Sequence, residues 1–300
     1  MHITTAGTGS GTGISQASTG TVQIGASDAY MLDSQMSQTP DMLNIPLAIS
    51  AQQINYNVPE IPASTHLNLS GPVLAGIYNG SITYWDDPQI KDINQAVANL
   101  LPHKVIIPIH RSDGSGDTFI FTQYLTKSTP SWSNAIGFGT TVNWPSVSSS
   151  QAALGNGGMV QAAAQNKYSI AYIGVSFFDD AEKAGLGYAF LQNKDGNFVD
   201  ITKDNINSAA SALVSQTPTD ERISLVYAPG PNSYPIINYE YAIVKKTQSN
   251  PDTATALSTF LNWALDPNNG NSPQCVDKVH FIPLPPSIVQ LSKAQIAQIQ

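Results

Sequence analysis

Blocks of apolar residues alternate with polar segments along this chain, and their spacing predicts strands followed by helices. Two long apolar runs, residues 45–58 and 235–245, are rich in β-branched residues and are typical of buried central strands. The shorter run KVIIPIH at 104–110 predicts another strand. The run TFIFTQYL at 118–125 then repeats apolar residues at helical spacing. Strands and helices that alternate in this way indicate an α/β fold.

The two long strands flank the middle of the chain, and this order predicts two lobes. If both strands cross between lobes, the two ends of the chain build one lobe and the middle builds the other. We expect lobe I to comprise residues 1–80 and 231–300, and lobe II to comprise residues 81–230. Such a protein binds its ligand in the cleft between the lobes, where polar strand ends meet.

The polar stretch HRSDGSGD at 110–117 joins the predicted strand to the helix and is a candidate anion site. Free N–H groups and the positive end of the helix dipole favour anions there, and glycine lets a ligand approach the backbone. Arg111 adds a planar donor suited to a tetrahedral oxyanion. In the alternative, Ser115 or Asp117 caps the helix and Arg111 pairs with Asp113 on the surface.

Two further polar corners are GTGSGTG at 7–13 and GASD at 25–28. The first lacks the glycine spacing of nucleotide-binding loops, and Ser10 either contributes its hydroxyl and N–H to a ligand or lies in a flexible turn. Asp28 either caps a helix or accepts a hydrogen bond from an anion that carries a proton. Because phosphate carries a proton at neutral pH and sulfate carries none, a buried aspartate would exclude sulfate.

Composition narrows the class of protein. With 41% hydrophobic and 11% charged residues, the chain is globular, and its net charge of −8 argues against nucleic acid or an anionic membrane surface as partner. The single cysteine, Cys275, excludes an intrachain disulfide and a cysteine zinc cluster, and is either a packed residue or an incidental thiol. No apolar run reaches the length that crosses a bilayer, and no export signal precedes the first glycine-rich corner.

Catalytic motifs are weak in this sequence. Neither Ser10 nor Ser115 lies in a GxSxG elbow, because their flanking residues read TGSGT and DGSGD. The five histidines have no paired metal-binding spacing. We therefore expect no enzyme, no metal site and no cofactor.

Taken together, the polar corners resemble the phosphate-binding protein family of the high-affinity phosphate ABC transporter. The resemblance spans nearly the whole chain and is carried by GTGSG at 7–11, GASDA at 25–29, YWDDPQI at 84–90, RSDGSGDTFIFTQYL at 111–125, GNGGM at 155–159, AYIG at 171–174 and YPI at 234–236. It implies a two-lobed, hinged, type II periplasmic-binding-protein fold with two crossover strands. It also implies a monomer, in the periplasm or lipid-anchored outside the cell membrane, that delivers inorganic phosphate to a membrane permease.

The resemblance further implies a set of phosphate ligands. These are the hydroxyl of Ser10, the proton acceptor Asp28, the cation Arg111 held by Asp113, and the donors Ser115 and Gly116 with the neighbouring Asp117. Many members of the family have threonine where Asp117 stands, so Asp117 places an acceptor where a donor is usual. The sequence also lacks the family's first strand, turn and helix, and we expect a chain truncated at its N-terminus.

Two other functions stay open from the sequence. One is binding of another oxyanion, such as sulfate or molybdate, in the same architecture. Asp28 argues against it, because those ions are fully ionised at neutral pH. The other is a phosphate-ester hydrolase with Ser115 as nucleophile, which the lack of a nearby base or metal cluster disfavours.

Overall fold

The computed structural model describes residues 3–62 and 64–300, which form ten strands and twelve α-helices. Met1 and His2, at the expected start of lobe I, lie outside the described residues. The strands are β1 (Gly25–Ser27), β2 (Met42–Tyr56), β3 (Asn68–Leu69), β4 (Ile107–Arg111), β5 (Gln151–Ala153), β6 (Ser169–Gly174), β7 (Gly187–Tyr188), β8 (Phe190–Gln192), β9 (Phe198–Val199) and β10 (Ile237–Lys245). The helices are α1 (Ser10–Thr19), α2 (Asp33–Gln38), α3 (Gly71–Asn79), α4 (Pro88–Asp92), α5 (Gly116–Ser128), α6 (Pro130–Ala135), α7 (Gly155–Gln165), α8 (Phe178–Lys183), α9 (Lys203–Leu213), α10 (Pro251–Leu265), α11 (Pro273–Val276) and α12 (Pro286–Ile296).

Strand β2 connects the two parts of a seven-stranded sheet, whose order is β1-β10-β2-β6-β4-β5 with β7 paired to the end of β2. Its first part, residues 42–51, pairs antiparallel with β10, and residues 52–56 pair antiparallel with β6. The two long strands expected from the sequence are thus confirmed as β2 and β10. The boundaries of the two lobes stay a prediction.

Helices pack against both parts of the sheet. Helix α1 packs on β1 and β10, α7 packs on β4 and β6, and α12 packs on β2. Strand β6 is buried along its whole length, as expected for a strand covered on both faces. The remaining strands form a small sheet in the order β3-β8-β9. The α/β fold expected from the sequence is confirmed.

For two features, the glycine-rich corner and Cys275, the structure decides between the two interpretations that the sequence allowed. The glycine-rich corner at 7–13 is not a flexible turn throughout, because α1 begins within it at Ser10. The helix ends at Thr19 and is capped by Gly20, whose φ of 74° suits glycine. Cys275 is exposed, so it is an incidental thiol and not a packed residue. Across the described residues, no helix is both long and apolar enough to span a membrane.

Candidate functional site

The candidate site lies where four chain segments come together: the start of α1, the residue after β1, the end of β4 and the start of α5. The first contact joins Ser10 and Asp28, which are 18 residues apart. The Ser10 hydroxyl donates to Oδ2 of Asp28 at 3.0 Å, and the Asp28 N–H donates to Oγ of Ser10 at 3.2 Å. Asp28 therefore does not cap a helix, since α2 begins later, at Asp33.

Arg111, at the end of β4, is held by two carboxylates. Its Nε donates to Oδ1 of Asp113 at 2.7 Å, and its Nη2 donates to Oδ2 of the same residue. Its Nη1 donates to Oδ2 of Asp117 at 2.9 Å. The pairing with Asp113 expected from the sequence is confirmed, but it is buried and not on the surface, because only 7% of Arg111 is exposed.

The backbone of Arg111 is also held by a hydrogen bond to a buried tyrosine. Its N–H donates to the hydroxyl of Tyr172 at 2.9 Å, and this hydroxyl lies 2.7 Å from the hydroxyl of Thr118 in the first turn of α5. Both Tyr172 and Thr118 are buried. The strand end and the helix start thus share one buried hydrogen-bond network, which holds the guanidinium at the helix N-terminus.

The first turn of α5 presents its backbone towards Ser10 and Asp28. Ser115 caps the helix, since its Oγ accepts from the N–H of Thr118 at 3.4 Å. A Cβ added to Gly116 would overlap the carboxyl group of Asp28 and would lie 2.5 Å from Oγ of Ser10. The absence of a side chain at Gly116 is therefore what allows the two segments to approach so closely.

Asp117 points away from water and into a polar pocket. Its Oδ1 accepts from Nε2 of Gln52 at 3.1 Å, and its Oδ2 accepts from Nδ2 of Asn156 at 2.8 Å as well as from Arg111. Burial raises the pKa of Asp117 to about 6, and the negative charge of Asp28 adds to this rise, against the opposing effects of Arg111 and the two amides.

Sequence reasoning missed Gln52 and Asn156. Gln52 lies in a run that reads as a buried apolar strand, and its side chain is fully buried. Asn156 belongs to the GNGGM motif at 155–159, and its Oδ1 accepts from the N–H of Gly174 at 3.2 Å. A pair of glutamines inside a β-branched run was the available signal, because buried amides need polar partners.

The expected ligand set therefore gathers at one place. Ser10 and Asp28 lie on one side, and Arg111, Ser115, Gly116 and Asp117 lie on the other, with Asp113 behind the guanidinium. The two sides also touch directly, since the N–H of Gly11 donates to the carbonyl oxygen of Gly114 at 2.9 Å. Chemically, the site offers N–H and O–H donors, one cation, and carboxylates that can only accept unless protonated.

Comparison with known proteins identifies the class and then the family. Residues 1–268 match the PBP superfamily domain. The phosphate-binding protein PstS of Methanocaldococcus jannaschii is 37% identical over 284 residues, covering 89% of this chain and 72% of that protein. PstS of Pasteurella multocida is 34% identical over 287 residues, covering 96% of this chain and 79% of that protein. The chain therefore belongs to the PstS phosphate-binding proteins of the PBP superfamily.

Solved structures show the same fold. A high-affinity periplasmic phosphate-binding protein, PfluDING, bound with phosphate, has a TM-score of 0.74 at 20% identity, covering 96% of this chain and 86% of that chain. The phosphate-binding protein from Stenotrophomonas maltophilia has a TM-score of 0.75 at 18% identity, covering 96% and 85%. The periplasmic-binding-protein fold expected from the sequence is confirmed.

Proposed function

We propose that this protein binds inorganic phosphate at the site between Ser10, Asp28 and the start of α5, and delivers it to the membrane permease of an ABC transporter. The observation that carries the proposal is the position of Arg111. Its guanidinium is buried, oriented by Asp113 and Asp117, and placed at a helix N-terminus that favours anions. Membership of the PstS family supports phosphate as that anion.

The ligand roles follow from the chemistry of each group. Arg111 and the N–H groups at the start of α5 offer donors to phosphate oxygens, as does the hydroxyl of Ser115. The hydroxyl of Ser10 already donates to Asp28, so Ser10 offers its backbone N–H at the start of α1. Asp28 accepts a hydrogen bond from the phosphate oxygen that carries a proton. Sulfate and molybdate are fully ionised at neutral pH and have no O–H to donate to this carboxylate. Repulsion between their oxygens and Asp28 therefore excludes them.

The proposal includes the division into two lobes, residues 1–80 with 231–300 and residues 81–230. Ser10 and Asp28 then belong to lobe I, and Arg111 and the start of α5 belong to lobe II. The Gly11 to Gly114 hydrogen bond would join the lobes in the closed form. We place the protein outside the cytoplasm, in the periplasm or lipid-anchored, as a monomer with no nucleic-acid partner.

Titration calorimetry with four oxyanions tests this function. We expect phosphate and arsenate, which both carry a proton at neutral pH, to bind with one ion per chain. Sulfate and molybdate should release no measurable heat under the same conditions. Binding of sulfate with the affinity of phosphate would contradict the proposal and favour a general oxyanion carrier, and absence of phosphate binding would refute it.

We also propose that the protein is not a phosphate-ester hydrolase. The Oγ of Ser115 accepts a hydrogen bond from the N–H of Thr118. This helix-capping role explains why a serine stands here, and no role as a nucleophile is needed. A chromogenic phosphate ester should show no turnover above buffer. Turnover by the wild type that disappears in Ser115→Ala but persists in Ser112→Ala would overturn this part of the proposal.

A further inference from the structure

A third carboxyl group, that of Glu240, lies beside Asp28. In the pairing of β1 with β10, Ser27 lies opposite Tyr241, which aligns Asp28 with Glu240 at the next position. Asn238 joins the two residues, because its Nδ2 lies 3.4 Å from the carbonyl oxygen of Asp28 and 3.2 Å from Oε1 of Glu240. The register and this shared amide hold Glu240 at the edge of the site.

The backbone of β10 is irregular at this residue. Against β2, Glu240 pairs with Ala48 and Tyr241 pairs with Pro46, so the register shifts between Glu240 and Tyr241. A bulge of this kind bends a strand and redirects a side chain, and bulges are frequent next to binding sites. Here the bulge falls at the acidic residue that lies opposite Asp28.

The carboxyl group of Asp28 affects the ionisation of Glu240. None of the ion pairs formed by the described residues involves Glu240. Burial, followed by the charge of Asp28 and a hydrogen bond between the two side chains, raises the pKa of Glu240 well above its usual range, against weaker opposing bonds from Ser50 and Asn238. This shift favours the protonated form of Glu240, which can donate a hydrogen bond.

Resting on the proposed function, we propose that Glu240 is a positioning residue for phosphate recognition: it donates its proton to Asp28 and orients that carboxylate to accept from protonated phosphate. The Ser10 hydroxyl donates to Oδ2 of Asp28 at 3.0 Å. A carboxylate has about four acceptor positions, so two donors still leave positions for the ligand. With Ser10 and Glu240 as donors, the carboxylate of Asp28 is held in one orientation, in which its free acceptor positions face the phosphate.

The pH dependence follows from the charged groups around Asp28. These are Glu240 from β10 and Asp117 from α5, and Asp117 is itself paired with Arg111 from β4. Once Glu240 loses its proton at high pH, two carboxylates face each other next to the phosphate, and the site repels the anion. Phosphate affinity should therefore fall at high pH because Glu240 becomes ionised.

Two variants separate this role from simple packing. In Glu240→Gln, the amide N–H still donates to Asp28 and the amide oxygen still accepts from Asn238, but the group no longer titrates. In Glu240→Ala, the donor is lost. Glu182→Gln, which changes an exposed acid on α8, is the matched control. Phosphate dissociation constants are measured by calorimetry from pH 6 to 10, and folding is checked by circular dichroism.

At pH 7 we expect Glu240→Gln and Glu182→Gln to bind within about twofold of the wild type, and Glu240→Ala to bind roughly tenfold more weakly, as for the loss of one hydrogen bond to a charged group. As the pH rises, the wild type should weaken relative to Glu240→Gln, by tenfold or more. Since all variants share the same ligand, the ionisation of phosphate itself cancels in this ratio. The infrared spectrum gives a second readout, namely the C=O band of a protonated carboxyl group that is lost in Glu240→Gln.

Equal affinities for Glu240→Gln and Glu240→Ala would overturn the positioning role, and so would a constant ratio of wild type to Glu240→Gln across the pH range. If Glu240→Ala does not fold, the pH series of Glu240→Gln and the infrared band decide the question. A wild type that does not bind phosphate would refute the proposed function and this role together, whereas binding without the pH effect refutes this role alone.

Discussion

Arg111 and Asp117 form a buried ion pair, with Nη1 and Oδ2 separated by 2.9 Å and only 5% and 6% of the two side chains exposed. The pair links the last residue of β4 to the first turn of α5. Because Asp113 holds the other edge of the guanidinium, its plane is fixed before any ligand arrives. A donor that is already held in place loses less conformational entropy on binding a ligand than a flexible one does. Arg111 is therefore the first residue to test.

Replacement of Arg111 should weaken phosphate binding strongly. Arg111→Ala removes the cation and leaves Asp113 and Asp117 unpaired near the anion, so we expect a loss of about 2 kcal/mol or more, roughly thirtyfold in affinity. Arg111→Lys keeps the charge but lacks the planar guanidinium, so its phosphate affinity should lie between those of the wild type and Arg111→Ala. Calorimetry on folded variants measures the effect. Normal binding by Arg111→Ala would mean that its ion pairs serve only the structure.

Replacement of Asp28 should change which anions are accepted. Asp28→Asn can rotate its amide to offer an N–H where the carboxylate only repelled, so we expect reduced but measurable phosphate binding together with new sulfate binding. Competition between the two ions, measured by calorimetry, gives the selectivity. If the wild type and Asp28→Asn reject sulfate equally, discrimination resides elsewhere, and Asp117 is the next residue to change.

Asp117 should make binding depend on pH near its pKa of about 6, a value raised mainly by burial. As the pH rises through 6, Asp117 becomes ionised and repels the phosphate anion. Asp117→Asn lacks this charge, so it should bind as the wild type does at pH 5 and roughly tenfold more tightly at pH 8, on the order of 1.4 kcal/mol. The ratio of the two affinities across this range is the measurement. A ratio that stays constant would show that the charge of Asp117 is fully compensated by Arg111.

The close approach of the two sides of the site can be tested at Gly116. In Gly116→Ala the new methyl group would overlap the carboxyl group of Asp28 and lie 2.5 Å from Oγ of Ser10, so the segments must separate. We expect at least a tenfold loss of phosphate affinity, about 1.4 kcal/mol. The matched control is Gly157→Ala on α7, where the nearest atom outside its own helix, on Phe177, would lie 3.7 Å away. Equal affinities of the two variants would mean that the site does not close around the ligand.

A separate buried acid, Glu221, should make stability depend on pH. Its side chain accepts from Ser292 at 2.8 Å and from Gln295 at 2.6 Å, both on α12, and burial raises its pKa to about 7. The folded state therefore holds a proton that the unfolded state releases above its ordinary pKa of 4.5. The free energy of unfolding should fall by roughly 3 kcal/mol as the pH rises from about 4.5 through about 7.

The variant Glu221→Gln tests this effect, because an amide can donate to Ser292 and accept from Gln295 without titrating. Thermal melts from pH 5 to 9 should show a higher melting temperature than the wild type at pH 8 and a flatter pH dependence. Glu182→Gln is the control for loss of an exposed acid. A melting temperature below that of the wild type at pH 8 would mean that the ionised carboxylate is the better partner for α12.

Local patterns in the sequence determined the elements and one side of the site. Apolar, β-branched runs predicted β2, β10 and β4, and apolar residues at helical spacing predicted α5, because these patterns depend on neighbours within a few residues. The motif from Arg111 to Asp117 lies within a single turn between strand and helix, so its ion pair with Asp113 was also within reach of sequence reasoning.

Tertiary structure decided the rest, because the contacts join segments far apart in the chain. Gln52 meets Asp117 across 65 positions, and Asn238 meets the carbonyl oxygen of Asp28 across 210. No local period encodes which buried amide will face which carboxyl group; the pairing of β2, β6 and β10 and the bulge at Glu240 determine it. The sequence by itself thus determined the strands, the helices and the Arg111 corner. The packing of distant strands decided the acidic environment around that corner, since burial and neighbouring charge exist only once those strands have paired.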